Sequence, residues 1–158
     1  MLIATPAELG FVLPSAPELA DHLPIVTHVR VDACVYVSGQ IPDSPGLPPL
    51  RGRLGDDVDV DTGRAAARRA TLNALAVLER AAGGLDRVRR IVKVVGFVRS
   101  THDFTDQPAV INAGSELLVD LWGTEFGKHA RSAIGVSSLP FGVPVEIELI
   151  AELEEESR

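Results

Sequence analysis

The apolar positions follow a helical period in two long stretches and a two-residue period in several short ones. In "DVDTGRAAARRATLNALAVLERAAGGLD", residues 59–86, Ala66, Ala67, Ala70, Ala74, Val77, Leu78 and Ala81 fall on one face at about 100° per residue. Arg64, Arg68 and Glu79 fall opposite, with Asp61 as the expected cap and Gly83-Gly84 as the stop. "THDFTDQPAVINAGSELLVDLWG", residues 101–123, predicts a second helix, capped near Thr105 or Asp106 and ended by Gly123; Ala109, Val110, Ala113, Leu117, Val119 and Leu121 are its apolar positions. Between them, "RVRRIVKVVGFVRS" predicts a long strand, with Val92, Val94, Gly96 and Val98 on one face and Ile91, Lys93, Val95, Phe97 and Arg99 on the other. "IVTHVRVDACVYVSG" predicts two short strands joined at Asp32-Ala33. Two final strands are expected over 132–136 and 143–153, separated by Leu139-Pro140-Phe141-Gly142.

The remaining segments lack periodicity. Thr5-Pro6-Ala7-Glu8 has the composition of a helix start, closed by Gly10. Prolines at 14, 17 and 24 then predict a loop. "SGQIPDSPGLPPLRGRLGDD" carries four prolines and four glycines, and a loop of this length in a compact domain is usually functional. Its portion 42–54 is a candidate cover for a cleft. The tail "EEESR" reads as a charged end beyond the last strand. The order of elements predicts an α+β fold, one domain over 1–158, with two main helices packed on one face of a mixed sheet.

Composition narrows the function classes. Of 158 residues, 46% are hydrophobic and 4% aromatic, so the core must be built from aliphatic side chains. The net charge of −7 disfavours a nucleic-acid partner, and the cations at Arg64–Arg69 and in "DRVRRIVK" read as solvated faces. The start of the chain lacks a leader pattern and no apolar run reaches membrane-spanning length, so a cytoplasmic protein with no membrane partner is expected. With one cysteine no intrachain disulfide can form, and Cys34 reads as a packed core thiol. Trp122 reads as a core or interface anchor.

No phosphate-binding glycine motif, nucleophile elbow or paired-cysteine metal motif occurs, and His22, His28, His102 and His129 lack ligand spacing. Neither a metal nor a cofactor is expected. What remains is a cation and a carboxylate among apolar strand residues, Arg131 and Glu146, which are costly to bury without partners or purpose. On two neighbouring strands they would form a cross-strand ion pair, the simpler reading of spacing alone, or face one pocket as carboxylate clamp and general base.

Further residues carry a resemblance. "VYVSGQIP" at 35–42, Asn112, "ARS" at 130–132, Leu139-Pro140 and "VEIELIA" at 145–151 together resemble the Rid (YjgF-type, reactive intermediate deaminase) family, in order and separation over nearly the whole chain. The N-terminal segment and both helices look more like its longer YjgF-like subgroup. The resemblance implies a chorismate-mutase-like fold and a homotrimer whose sheets form an inner barrel with three inter-subunit clefts. It implies cofactor-free and metal-free hydrolysis of enamines or imines, such as 2-aminoacrylate and other 2-iminoacids, to 2-oxoacids and ammonia. Residue by residue, Arg131 matches the arginine that binds the substrate carboxylate and Glu146 the glutamate that positions water. Asn112, Ser38 and Gly39 match positions lining the cleft. Three positions depart from the active pattern: Ala133 stands where active members carry cysteine, Ile25 where they often carry tyrosine, and His129 at a proline-like position before "ARS", where it could contact substrate. Two other readings follow from these departures and from a historical label: a catalytically silent trimer that binds small carboxylates, or a ribonuclease.

Overall fold

The protein is described by a computed structural model over residues 1–154; of the charged tail expected at 154–158, all but Glu154 lies outside the described residues. Five strands form one mixed sheet: β1 (His28–Val31), β2 (Cys34–Gln40), β3 (Val88–Arg99), β4 (Ala130–Val136) and β5 (Val145–Leu153). Their spatial order is β1-β2-β5-β3-β4, with β3 and β4 parallel and all other neighbours antiparallel. The helices α1 (Val60–Ala82) and α2 (Gln107–Phe126) cover the same face of the sheet, α1 over β2 and β5 and α2 over β3 and β4. Parallel strands need a crossover, and α2 supplies it between β3 and β4. The two-helix, mixed-sheet architecture is thus the one expected from the chain's periodicity.

The alanine face of α1 carries the core. Ala66, Ala67, Ala70, Ala74, Val77 and Leu78 are fully buried, and their small side chains let the helix lie close to Val35, Ile147, Leu149 and Ala151 of the sheet. Gly83 ends the helix in the left-handed region at φ 78°, its N–H returning to the Glu79 carbonyl. Trp122 is buried and its Nε1–H donates to the Val88 carbonyl at 3.1 Å, anchoring α2 to β3. Gly123, at φ 71°, breaks the regular part of α2 as expected, and a short turn continues to Phe126. Asp32, also left-handed at φ 53°, makes the turn between β1 and β2.

Several expectations are corrected. The cap of α1 is Asp59, whose carboxylate accepts from the Thr62 N–H at 2.7 Å; Asp61 lies inside the first turn. Thr5 and Glu8 do make the reciprocal capping bonds, but the segment stays a turn. Gly10 closes it at φ 80°, before enough hydrogen bonds form to offset helix nucleation. In β3 a register shift between Ile91 and Lys93 restarts the alternation, so Ile91 joins Val94 and Val98 in the core while Val92 is turned out. Cys34 pairs with Glu152 on the helix-free face and is half-buried, not a core thiol. The cations of α1 are engaged rather than solvated. Arg64 bonds the Ala109 carbonyl and Glu116, Arg68 lies over the Phe11 ring, and Arg69 bonds the Pro48 carbonyl.

The long loop is fastened to α1. Asn73 Nδ2 donates to the carbonyls of Ile41 and Asp43, and its Oδ1 accepts from Ser44. Arg51 forks onto Asp43 at 2.7 Å through both terminal nitrogens. No described helix is long and apolar enough to cross a membrane.

The corrected cap gives a direct test. Asp59→Ala should lower the urea midpoint of unfolding measurably, and Asp61→Ala should lower it much less.

Candidate active site

Arg131 is held by the meeting of two periodicities. Asn112 and Ser115, three residues apart on α2, share one helix face; His129, just before β4, and Arg131, its second residue, are two apart and lie on the side that meets α2. The two faces meet. Arg131 Nη1 donates to Asn112 Oδ1 at 2.8 Å and to Ser115 Oγ at 3.1 Å. Both Nη1 protons are therefore taken, while among the described residues Nη2 and Nε have no partner. That leaves the Nε–Nη2 edge, a rigid two-donor fork suited to a carboxylate. Ala133, two residues further along β4, lies on the same face beside Gly96.

His129 sits behind this group. Its Nδ1 is 2.7 Å from the Gly127 carbonyl and its Nε2 is 3.0 Å from Ser115 Oγ, so both ring nitrogens are engaged. Burial pulls its pKa down, opposed by the bond to Gly127 and reinforced by the charge of Arg131.

Glu146 stands elsewhere. On the helix-free face it lies opposite Phe97, its carboxylate over Gly39. A Cβ at residue 39 would meet Glu146 Oε1, so glycine here lets the carboxylate keep this position, and a larger residue would make it swing away. The bulge between Val37 and Gln40 brings Ser38 and Gly39 there. Ser38 Oγ–H donates to the Val26 carbonyl at 2.7 Å, tying this bulge to the segment that carries Ile25. Ile25 is exposed and lines a cavity of about 570 Å³ with Leu23, His28 and Arg80. Partial burial raises the Glu146 pKa above the ordinary glutamate value, and neighbouring Glu148 adds to the shift.

Within one chain, Arg131 and Glu146 neither pair nor share a pocket. The strands that carry them are not neighbours, because β3 runs between. Arg131 is in register with Val94 and Glu146 with Phe97. Three residues along the strand and two strand spacings across put their Cα atoms roughly 14 Å apart, and the odd offset puts them on opposite faces. The expected ion pair is thus excluded, and the sequence-predicted residues divide into two groups: Arg131, Asn112, His129 and Ala133 by α2, and Glu146, Ser38, Gly39 and Ile25 by the β2 bulge. Ser115 was not singled out in the sequence; its position three residues beyond Asn112 was the available signal. Among the described residues no three His, Cys, Asp or Glu side chains converge as a metal-ligand set.

Comparison with known proteins places this arrangement. The profile of the YjgF/chorismate mutase-like family, whose description carries an endoribonuclease label, matches residues 9–153. Protein TCP17 of Trypanosoma cruzi is 41% identical over 145 residues, covering 92% of this chain and 89% of its own. The 2-iminobutanoate/2-iminopropanoate deaminase of Salmonella typhimurium is 37% identical over 128 residues, covering 81% and 86%. Among solved structures, protein Atu1372 of Agrobacterium tumefaciens superposes with a TM-score of 0.84 at 40% identity, covering 94% of this chain and 89% of its own. Escherichia coli TdcF with bound serine gives 0.62 at 27% identity, covering 90% and 96%. With the profile spanning nearly its whole length and the same two-helix, five-strand architecture, the chain belongs to the YjgF/chorismate mutase-like family.

Proposed function

We propose that the protein hydrolyses reactive enamines or imines of amino-acid origin, 2-aminoacrylate or other 2-iminoacids, to 2-oxoacids and ammonia, in clefts between copies of the chain in a homotrimer. The observation that carries this reading is the half-occupied guanidinium of Arg131, fixed on one edge by Asn112 and Ser115 and open on the other. The open edge takes the substrate carboxylate. Glu146, supplied by the neighbouring copy, holds a water against C2 of the imine and accepts its proton. An enamine such as 2-aminoacrylate first becomes the imine by moving an N–H proton to C3; water oxygen then bonds to C2 while its proton passes through Glu146 to nitrogen, and the remaining hydroxyl proton moves to nitrogen as the C–N bond breaks, releasing ammonia and leaving the 2-oxoacid. Ser38, Gly39 and Ile25 line the cleft on the Glu146 side, Asn112 and Ala133 on the Arg131 side. The reaction needs no metal or cofactor.

Self-association has its own support. The helix-free face of the sheet carries Val29, Tyr36, Ile150, Phe97 and Ile134, and Val29, Tyr36 and Ile134 are each about half exposed in the single chain. These apolar side chains are interspersed with Lys93, Glu146 and Glu148, no described helix covers them, and exposed apolar groups on an open sheet face suit association with other copies. Copies associating through it and through their strand edges would bring an Arg131 group toward another chain's Glu146 group. The identity to a deaminase, 37%, supports the reaction class.

Ala133 favours a second reading, in which the cleft binds small carboxylates without turnover. The ribonuclease reading is the weakest, because Arg64, Arg68 and Arg69 all have intramolecular partners.

Ammonia release from iminoacids generated in situ by an amino-acid oxidase separates these readings. The proposal expects acceleration over buffer, lost by at least about 100-fold in Glu146→Gln and also lost in Arg131→Ala. Saturable 2-oxoacid binding without ammonia release would select the silent binder. The raised pKa of Glu146 makes a second prediction. A carboxylate that binds its proton more tightly in the folded state contributes stability at acid pH, and that contribution is lost as pH rises through the folded pKa. Glu146→Gln should therefore raise the melting temperature at pH 7 relative to wild type and give no such gain near pH 4.

A further inference from the structure

The groups behind Arg131 form a hydrogen-bond chain with one direction. A carbonyl can only accept, so His129 Nδ1, at 2.7 Å from Gly127 O, carries the proton. Burial disfavours a second proton on the ring, leaving Nε2 as an acceptor. Ser115 Oγ–H, 3.0 Å away, must then donate to Nε2, which turns its lone pairs toward Arg131 Nη1 at 3.1 Å. The second Nη1 proton goes to Asn112 Oδ1. From α2 the group that faces the imidazole is the uncharged Ser115, and Arg131 is the cation acting on it.

We propose that Ser115 and His129 are positioning residues for the anion site: the imidazole fixes the rotor of the Ser115 hydroxyl, and the hydroxyl fixes the roll of the Arg131 guanidinium with its Nε–Nη2 edge outward. The proposal rests on the reading that Arg131 takes a carboxylate. Arginine carries large rotamer entropy, and a guanidinium ordered before the ligand arrives loses less on binding. Without His129, the Ser115 proton loses its fixed acceptor and the hydroxyl lone pairs are no longer held toward Arg131. His129 is then not a substrate contact, since neither ring nitrogen is free, and Ser115 gains a role through Arg131.

Calorimetric titration with 2-oxobutanoate and with its neutral amide tests this without requiring turnover. Ser115→Ala and His129→Phe should each weaken 2-oxobutanoate by about tenfold and leave the amide nearly unchanged. Ser115→Thr, which keeps the hydroxyl, should restore most of the carboxylate affinity. In steady-state assays of a turning-over enzyme, Ser115→Ala should raise KM with kcat within about twofold. Unchanged affinity for 2-oxobutanoate in both deletion variants, or equal loss of both probes, would overturn the proposal, the second outcome marking a merely structural role. A wild type that prefers the carboxylate but releases no ammonia from imines would sink the deaminase reading and leave the positioning role standing. Deamination with 2-oxobutanoate affinity unmoved by Ser115→Ala would do the reverse.

Discussion

The register of β3 is the constraint on which the rest of this molecule depends. It is the strand between β4 and β5, and its pairing fixes Arg131 opposite Val94 and Glu146 opposite Phe97. Because side chains alternate faces, the three-residue offset cannot put both charges on one side. One consequence is that each charge finds its own surroundings. Arg131 reaches the polar edge of α2, while Glu146 settles over the β2 bulge. The other is that a reaction requiring both must draw them from different copies. The proposed association of copies would account for both the uncovered sheet face and the unoccupied edge of the guanidinium.

Both charged groups carry a local cost. The carboxylate of Glu146 lies where partial burial and Glu148 oppose its ionisation, and Gly39 leaves the space it fills. A carboxylate that holds its proton more tightly than usual suits the proton-accepting role proposed for Glu146. Arg131 has the converse arrangement. Among the described residues no carboxylate balances its charge, only neutral acceptors on one nitrogen. Such an incomplete solvation shell favours an anionic ligand. His129 extends the same logic outward, since a neutral, directionally bonded imidazole orders the hydroxyl without adding a carboxylate that would compete with the ligand.

Much of the fold was legible in the sequence because its signals are local. The small-residue face of α1, the Gly83 stop, the Asp32 turn and the break at Gly123 each follow from a few adjacent residues. What failed depended on pairing. The β3 alternation was misassigned at Ile91 because a bulge is set by the partner strand, and Cys34 was placed in the core because periodicity does not say which face is covered. The cap expected at Asp61 lies at Asp59 because of a single hydrogen bond, from the Thr62 N–H. The candidate site followed the same division. Arg131, Glu146 and Asn112 were found by residue type and family resemblance, but the ion pair suggested by their spacing assumed that consecutive strands are neighbours. In a sheet ordered β1-β2-β5-β3-β4 they are not. Ser115 was missed because a serine in a helix has no signal until its strand partner is known.

The central claim is that Arg131 of one copy and Glu146 of another complete a single site. Subunit complementation tests it most directly. Arg131→Ala and Glu146→Gln, each inactive alone, would be unfolded, mixed and reassembled, and ammonia release from an in situ iminoacid measured. A shared site predicts that the mixture recovers activity, because some clefts then hold an intact Arg131 from one variant and an intact Glu146 from the other. A mixture that has demonstrably exchanged subunits but stays as inactive as its parents would contradict the account.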